Sequence, residues 1–176
     1  MITKTTDTPA IQNLHLHAFG DDEGPIIHAL SGAFLAHPDI ISLDVIRQER
    51  VVGNIMFSPL RLTDHPDKSC YLMAPVGVLP AFQGQGVGRD LIEGGVAHLS
   101  SMGVEAIFVL GHPGYYASNG FGPTKVLPPH HRLVTRMDAW KMREIIPGAM
   151  VEVGGTSMAS EPIMDREFWD TSDRAE

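Results

Sequence analysis

Hydrophobic positions recur along this chain with two alternating periods, and the switches between them mark out its elements. Residues 2–4 predict a short first strand. Residues 9–19 carry Ile11, Leu14, Leu16 and Ala18 at roughly helical spacing, with Thr8 placed as N-cap and Pro9 at the first helical position. Residues 24–36 predict a second helix whose apolar face is Ile26, Ile27, Leu30, Phe34 and Leu35, ended by His37-Pro38. Two strands follow at 41–48 and 50–62. In the first, Leu43 and Val45 alternate with Asp44 and Arg47; the second is a run through Val51, Val52, Ile55 and Phe57. Gln48, Glu49 and Arg50 supply a hairpin turn between them. A polar loop at 63–69 leads into an apolar strand at 70–79, interrupted by Pro75 and Gly77. A glycine-rich turn then opens a helix over about 86–102, with Leu91, Ile92, Val96 and Leu99 on its buried side and Gly103 as its C-terminal cap. Residues 106–110 (AIFVL) form a short buried strand. Beyond 123 the chain is rich in Pro and Gly, with strand-like pieces at 131–136 and 150–153. Met56, Met73 and Met102 are assigned to the core.

At 176 residues the chain is long enough for one domain with a substantial core, and the expected organisation is a single domain over 1–176. No apolar run approaches the roughly 18 residues that cross a bilayer. The first ten residues lack the basic-then-apolar layout of a signal peptide, so a cytoplasmic location is expected. Cys70 is the only cysteine, which rules out an intrachain disulfide and suits a reducing compartment. The formal net charge of −8 argues against non-specific nucleic-acid binding and mildly favours cationic substrates, beyond its plain effect on solubility.

Chemistry concentrates at 70–102, which reads strand, glycine turn, helix. Gly84, Gly86 and Gly88 let the backbone approach a ligand closely. They stand at a helix N-terminus, where unpaired N–H groups and the positive dipole end attract anions, and Arg89 adds a full charge. The physical expectation is a phosphate or pyrophosphate cradle. A nucleoside-triphosphate loop would need Gly-Lys-Ser/Thr, which is absent, and both registers of Gly-x-Gly-x-x-Gly fail, because the third position falls on Arg89 or Leu91.

What remains is Gln83-x-x-Gly86-x-Gly88, preceded by Val78-Leu79-Pro80. Here the chain resembles the GNAT acetyltransferase superfamily, whose hallmark is Gln/Arg-x-x-Gly-x-Gly/Ala at a strand–helix junction. Tyr115-Tyr116-Ala117-Ser118-Asn119-Gly120-Phe121 resembles a second family segment, and Gly111-His112-Pro113 before it is similar to a bacterial subgroup of predicted acetyltransferases. Asp7 and residues 10–19 resemble the usual family opening; the likeness covers about 2–125.

The resemblance implies an α/β fold: a central mixed, mostly antiparallel sheet flanked by helices, with a splayed fourth and fifth strand pair. It implies acetyl-CoA as cosubstrate, no metal, and direct attack of a primary amine on the thioester in a ternary complex. Val76, Gly77 and Val78 would bind the pantetheine arm, and one of their N–H groups would stabilise the oxyanion. Gln83, Gly84, Gln85, Gly86, Val87, Gly88 and Arg89 would hold the pyrophosphate. Tyr116 takes the general-acid position, and Tyr115 is assigned to packing. His112 has two readings, a general base or substrate contact, and a structural histidine held by loop hydrogen bonds. The acceptor is a small-molecule or protein amine, with specificity elements at 20–39 and 124–169; Asp21, Asp22 and Glu23 there suit an amine or simply a solvated helix start. A homodimer is compatible with the family; nucleic acid and membrane are not expected partners. His15 and His17 are two apart and do not form a metal pair. His130 and His131 read as a solvated turn, and Cys70 as a buried thiol. Two other functions are weighed: a non-catalytic acyl-CoA sensor and an unrelated nucleotide-binding protein.

Overall fold

The computed structural model describes residues 2–5 and 7–172. In chain order its elements are β1 (Ile2–Lys4), α1 (Thr8–Leu35), β2 (Ile41–Arg47), β3 (Arg50–Pro59), β4 (Arg61–Leu62), β5 (Cys70–Val78), α2 (Val87–Ser101), β6 (Ala106–Leu110), α3 (Pro113–Ser118), β7 (Lys125–Leu127), β8 (Trp140–Glu144) and β9 (Gly154–Met158). A large sheet has the strand order β1-β2-β3-β5-β6-β8, and a small one the order β4-β9-β7. In the large sheet β5 and β6 run parallel, while β1–β2, β2–β3 and β6–β8 are antiparallel. This is the mixed, mostly antiparallel α/β architecture expected. Two compact units divide the chain: residues up to Ser58 with Met73–Leu99, and Pro59–Leu72 with the residues from Ser100 onward.

In the first unit, α1 is two helices meeting without a linker at Gly20 (φ 72°, ψ −168°). The N-cap is Asp7 rather than Thr8, because the Asp7 carboxylate accepts from the Ala10 N–H at 3.0 Å. The buried face is Ile11, Leu14, His15, Leu30 and Phe34; Ile26, expected on it, is 42% exposed. Gln48 and Glu49 both take positive φ (51° and 60°), the twist that a two-residue hairpin needs, and Arg50 already pairs with Arg47.

Strand β3 is buried on both sides. A Cβ added at Gly53 would lie 2.7 Å from Val87 Cγ1 and 3.0 Å from Leu91 Cδ1, so α2 packs on that face. The next residue, Asn54, points the other way and accepts from His15 Nε2 at 2.8 Å. Its amide nitrogen faces Asp44 Oδ1 (2.7 Å), Ser42 Oγ (2.8 Å), the Leu43 carbonyl (3.2 Å) and Thr5 Oγ1 (3.2 Å). Asp44 is therefore buried with partners, where simple alternation along β2 places it in solvent. Burial raises its pKa, opposed by the Asn54 and Thr5 hydrogen bonds.

The second unit centres on Phe108, Trp140 and Trp169. Phe108 stacks on Trp140 (5.4 Å), and Trp169 meets Trp140 edge-on (5.9 Å). The indole N–H groups of Trp140 and Trp169 donate to the carbonyls of Val126 and Ile163. Sequence expectations are corrected here. The 50–62 strand breaks after Pro59, and Arg61–Leu62 pairs with β9 instead. Residues 131–136 and 150–153 are turns, with Leu133 N–H bonded to the His130 carbonyl and Val153 N–H to that of Met150; the strands are β7, β8 and β9. Short-range bonds hold these apolar residues, so apolar spacing alone misassigns them. His130 is half-buried, its Nε2 bonded to the Met164 carbonyl at 2.8 Å, rather than merely solvated. Met102 lies past the end of α2 and is 50% exposed, whereas Met56 and Met73 are core.

His15 sets a pH dependence on the first unit. Burial lowers its pKa from 6.5 to about 4, opposed by the Asn54 bond. The unfolded chain takes up a proton near pH 6.5 that the folded protein refuses until about pH 4. This residue therefore reduces stability as pH falls through that window and has no effect above it. Urea melts at pH 7 and pH 4 should show wild type losing roughly 3 kcal/mol more than His15→Phe. Equal losses would contradict a neutral buried imidazole.

Candidate active site

The expected cofactor-binding residues run along β5 and into α2. β5 pairs with β6 over Cys70–Leu72 against Ala106–Phe108, so the recorded register ends well before Val76, Gly77 and Val78. Pro75 brings no N–H to a ladder. The Leu79 N–H bonds to the Val52 carbonyl at 2.9 Å, which anchors the end of β5 on β3.

After β5 comes a 3-10 turn at Pro80–Phe82, then the glycine segment. Gly84 and Gly86 adopt φ of 71° and 80°, and a Cβ at either would meet nothing within 4 Å. Gln83, Gly84, Gln85 and Gly86 are exposed, Val87 is buried, Gly88 half-buried and Arg89 exposed. The first-turn N–H groups of α2 have no carbonyl one turn back within the helix. The space beside these glycines is open, so their backbone is accessible to an anion such as the pyrophosphate of a CoA-type ligand. The two glutamines point back rather than outward: Gln83 donates to the Val78 carbonyl (3.1 Å) and Gln85 to that of Ala81 (2.9 Å). They brace the turn.

Sequence inspection missed Arg47. From the end of β2 it reaches the Gln85 carbonyl (3.4 Å) and Asp90 Oδ2 (3.2 Å), bringing a second cation to the glycine segment. It lies 38 residues away in the chain, and no local signal marks it.

In the second unit, His112 caps α3: its Nδ1 accepts from the Tyr115 N–H at 3.3 Å. That is the structural role weighed for it; the ring is also exposed, which leaves a substrate contact compatible. Tyr116 is half-buried, edge-on to Tyr115 (5.1 Å) and to Phe121 (5.7 Å). Its ring lies on Gly111, where an added Cβ would overlap it. Burial raises the Tyr116 pKa, with a smaller contribution from Tyr115, so the phenol keeps its proton at any physiological pH. Tyr115 packs on Tyr116 yet is 41% exposed, more open than a pure packing role predicts.

The remaining candidates stay apart. The Cys70 thiol is buried and its pKa is pushed up to about 12, first by desolvation and then by Glu105, so it is a poor nucleophile. Among the described residues no three His, Cys, Asp or Glu side chains converge to hold a metal, and no helix is long and apolar enough to cross a membrane.

Comparison with known proteins places this arrangement. Residues 8–121 match the model of the Acetyltransferase (GNAT) family, and the chain belongs to that family of acetyltransferase enzymes. It is 36% identical over 124 residues to the uncharacterized N-acetyltransferase YjhQ of Escherichia coli K12, covering 69% of this chain and 68% of that one. It is 30% identical over 131 residues to the E. coli K12 uncharacterized N-acetyltransferase YhbS, covering 74% of each. Among solved structures it is similar to E. coli YhbS in complex with CoA, with a TM-score of 0.79, 26% identity, and 94% and 92% of the two chains covered. A GNAT acetyltransferase from Brucella melitensis in complex with acetyl-CoA gives a TM-score of 0.69 at 28% identity, covering 93% of this chain and 97% of that one.

The Gly111–Tyr116 contact is testable without any ligand. Gly111→Ala should force the Tyr116 ring off its seat. Chemical denaturation should then show a loss of about 1–3 kcal/mol from overpacking, with a changed near-ultraviolet tyrosine signal. An unaltered spectrum and stability would mean that the ring is not held there.

Proposed function

We propose that this enzyme transfers an acetyl group from acetyl-CoA to a primary amine by direct attack in a ternary complex. The observation that carries it is the course of β5: paired with β6 for three residues only, it runs through Val76, Gly77 and Val78 into the open glycine segment at the start of α2. An edge of this kind suits an extended pantetheine arm followed by a pyrophosphate. The CoA and acetyl-CoA complexes of two similar proteins support the same cosubstrate.

Each residue then has one task. The N–H groups of Gly84, Gln85, Gly86, Val87, Gly88 and Arg89 hold the pyrophosphate, with Gln83 bracing the turn and the Arg47–Asp90 ion pair tying β2 to it. Backbone N–H groups at Val76, Gly77 and Val78 polarise the thioester carbonyl. A neutral amine attacks that carbon; the C–N bond forms, the C–S bond breaks, and Tyr116 gives its proton to the departing sulfur while the amine sheds one to solvent. The net charge of −8 favours cationic acceptors at encounter. We place the enzyme in the cytoplasm, a reducing compartment that the single free thiol of Cys70 suits, and read 1–176 as one catalytic domain.

Two variants test the scheme. Gly86→Val puts a β-branched residue at φ 80° and closes the backbone to the ligand, so calorimetry on the folded variant should show acetyl-CoA binding severely weakened. Unchanged affinity would move the cradle elsewhere. Tyr116→Phe keeps the ring contacts and removes the donor. Thiol release with an accepted amine should fall by about 10²–10⁴-fold, with acetyl-CoA affinity nearly constant. Because burial raises the Tyr116 pKa, the wild-type alkaline limb should lie above the ordinary tyrosine value of about 10 and vanish in the variant. Wild-type turnover in Tyr116→Phe would refute the assignment. Stabilisation by acetyl-CoA without thiol release by wild type, across an amine panel, would make the chain a sensor instead.

A further inference from the structure

One buried group in the first unit remains outside this chemistry. His15 is fully buried, yet its Nδ1 has no hydrogen-bond partner. Its protonation pattern is fixed by its neighbour. Asn54 directs its amide nitrogen at the Asp44 carboxylate and the Leu43 carbonyl, so its Oδ1 is the atom facing His15. Nε2 must then carry the hydrogen and donate, which leaves Nδ1 as a bare acceptor. A buried acceptor without a partner is destabilising, and no hydrogen bond at Nδ1 offsets that cost.

What the imidazole touches is Gly77. A Cβ at Gly77 would fall 2.6 Å from His15 Nδ1, 2.9 Å from its Cε1 and 3.1 Å from Leu14 Cδ2. The imidazole therefore occupies the space of the missing side chain and lies directly against the β5 backbone. It cannot retreat, because Nε2 is tied to Asn54, and Asn54 is tied through Asp44, Ser42 and Thr5 to β2 and the end of β1. A hydrogen-bonded network of this kind is stiff, since any shift of one member breaks bonds in low dielectric.

We infer that His15 is a positioning residue for the acetyl-transfer reaction: a rigid backstop, held by Asn54, that sets where the Gly77 backbone, and with it the thioester-binding N–H groups of β5, comes to rest. This rests on the function proposed above for Val76, Gly77 and Val78. Backbone donors act on developing charge only when they are held in place, and a displacement of about 1 Å is enough to cost 10²-fold in rate. His15 itself touches neither substrate nor the reacting atoms.

The test is a cycle of Gly77→Ala, His15→Ala and the double variant. Gly77→Ala collides with the ring and should lower kcat by about 10- to 100-fold. Its acetyl-CoA affinity should fall by less than kcat, since the pantetheine contact at Gly77 shifts while the glycine segment at 84–89 is untouched. Adding His15→Ala vacates the space for the new methyl group and should recover much of that kcat, so the two effects are strongly non-additive. A role in stability alone would shift the melting temperature and leave kcat of the folded fraction unchanged. Wild-type kcat in folded Gly77→Ala, or a double variant no better than Gly77→Ala, overturns the backstop. If wild type itself shows no turnover with any amine, the proposed function fails instead. The backstop is then decided by nitrogen NMR of histidine-labelled protein: wild type should show Nε2–H with a bare Nδ1, and Gly77→Ala should displace both signals. Signals indifferent to Gly77→Ala would overturn it.

Discussion

The first unit turns on one asparagine in the middle of a strand buried on both faces. Asn54 could not remain there unless its amide were satisfied, and every partner it takes fixes another element. Asp44 and Leu43 fix β2, Thr5 fixes the chain just after β1, and His15 fixes the first half of α1. Because Gly53 faces α2 while Asn54 faces α1, the same two residues of β3 set the positions of both flanking helices. The imidazole that Asn54 holds lies against Gly77, on the strand that leads into the glycine segment. A polar group in a core is thus connected, in two contacts, to the strand where the cosubstrate is expected.

Acetyl transfer suits such a framework because little of its chemistry needs reactive side chains. In the function proposed above, backbone N–H groups, one phenol and an anion cradle carry the reaction, and each must be held still rather than activated. Glutamines of the glycine segment bond back to carbonyls of their own turn, Tyr116 is wedged between two aromatic rings over Gly111, and His112 spends a ring nitrogen on capping α3. Cys70, the residue with the greatest intrinsic nucleophilicity, is buried with its pKa raised.

Where sequence inspection failed, the failures share a cause. Residues 131–136 and 150–153 are apolar enough for strands, but turn bonds within a few residues claim their backbone groups. Asp44 breaks the alternation of β2 because a buried amide 10 residues away needs an acceptor. Helical period places Ile26, and apolar character places Met102, in the core, while burial depends on what another element covers. Arg47 reaches the glycine segment from 38 residues away, and His15 reads as one of two ordinary histidines on a helix.

Local physics settled the rest directly from the amino acids. Glycines alternating before an amphipathic run favour a turn opening a helix, so the strand, glycine turn and helix were legible at 70–102. These features depend on φ preferences, capping and period, all written within a few residues. The tertiary structure alone decided which side chains are buried against which backbone: that Tyr116 rests on Gly111, and that His15 fills the space Gly77 leaves open. Those are contacts between residues distant in the chain, fixed by close packing and by the need to pair every buried polar group, and neither constraint has a local signature.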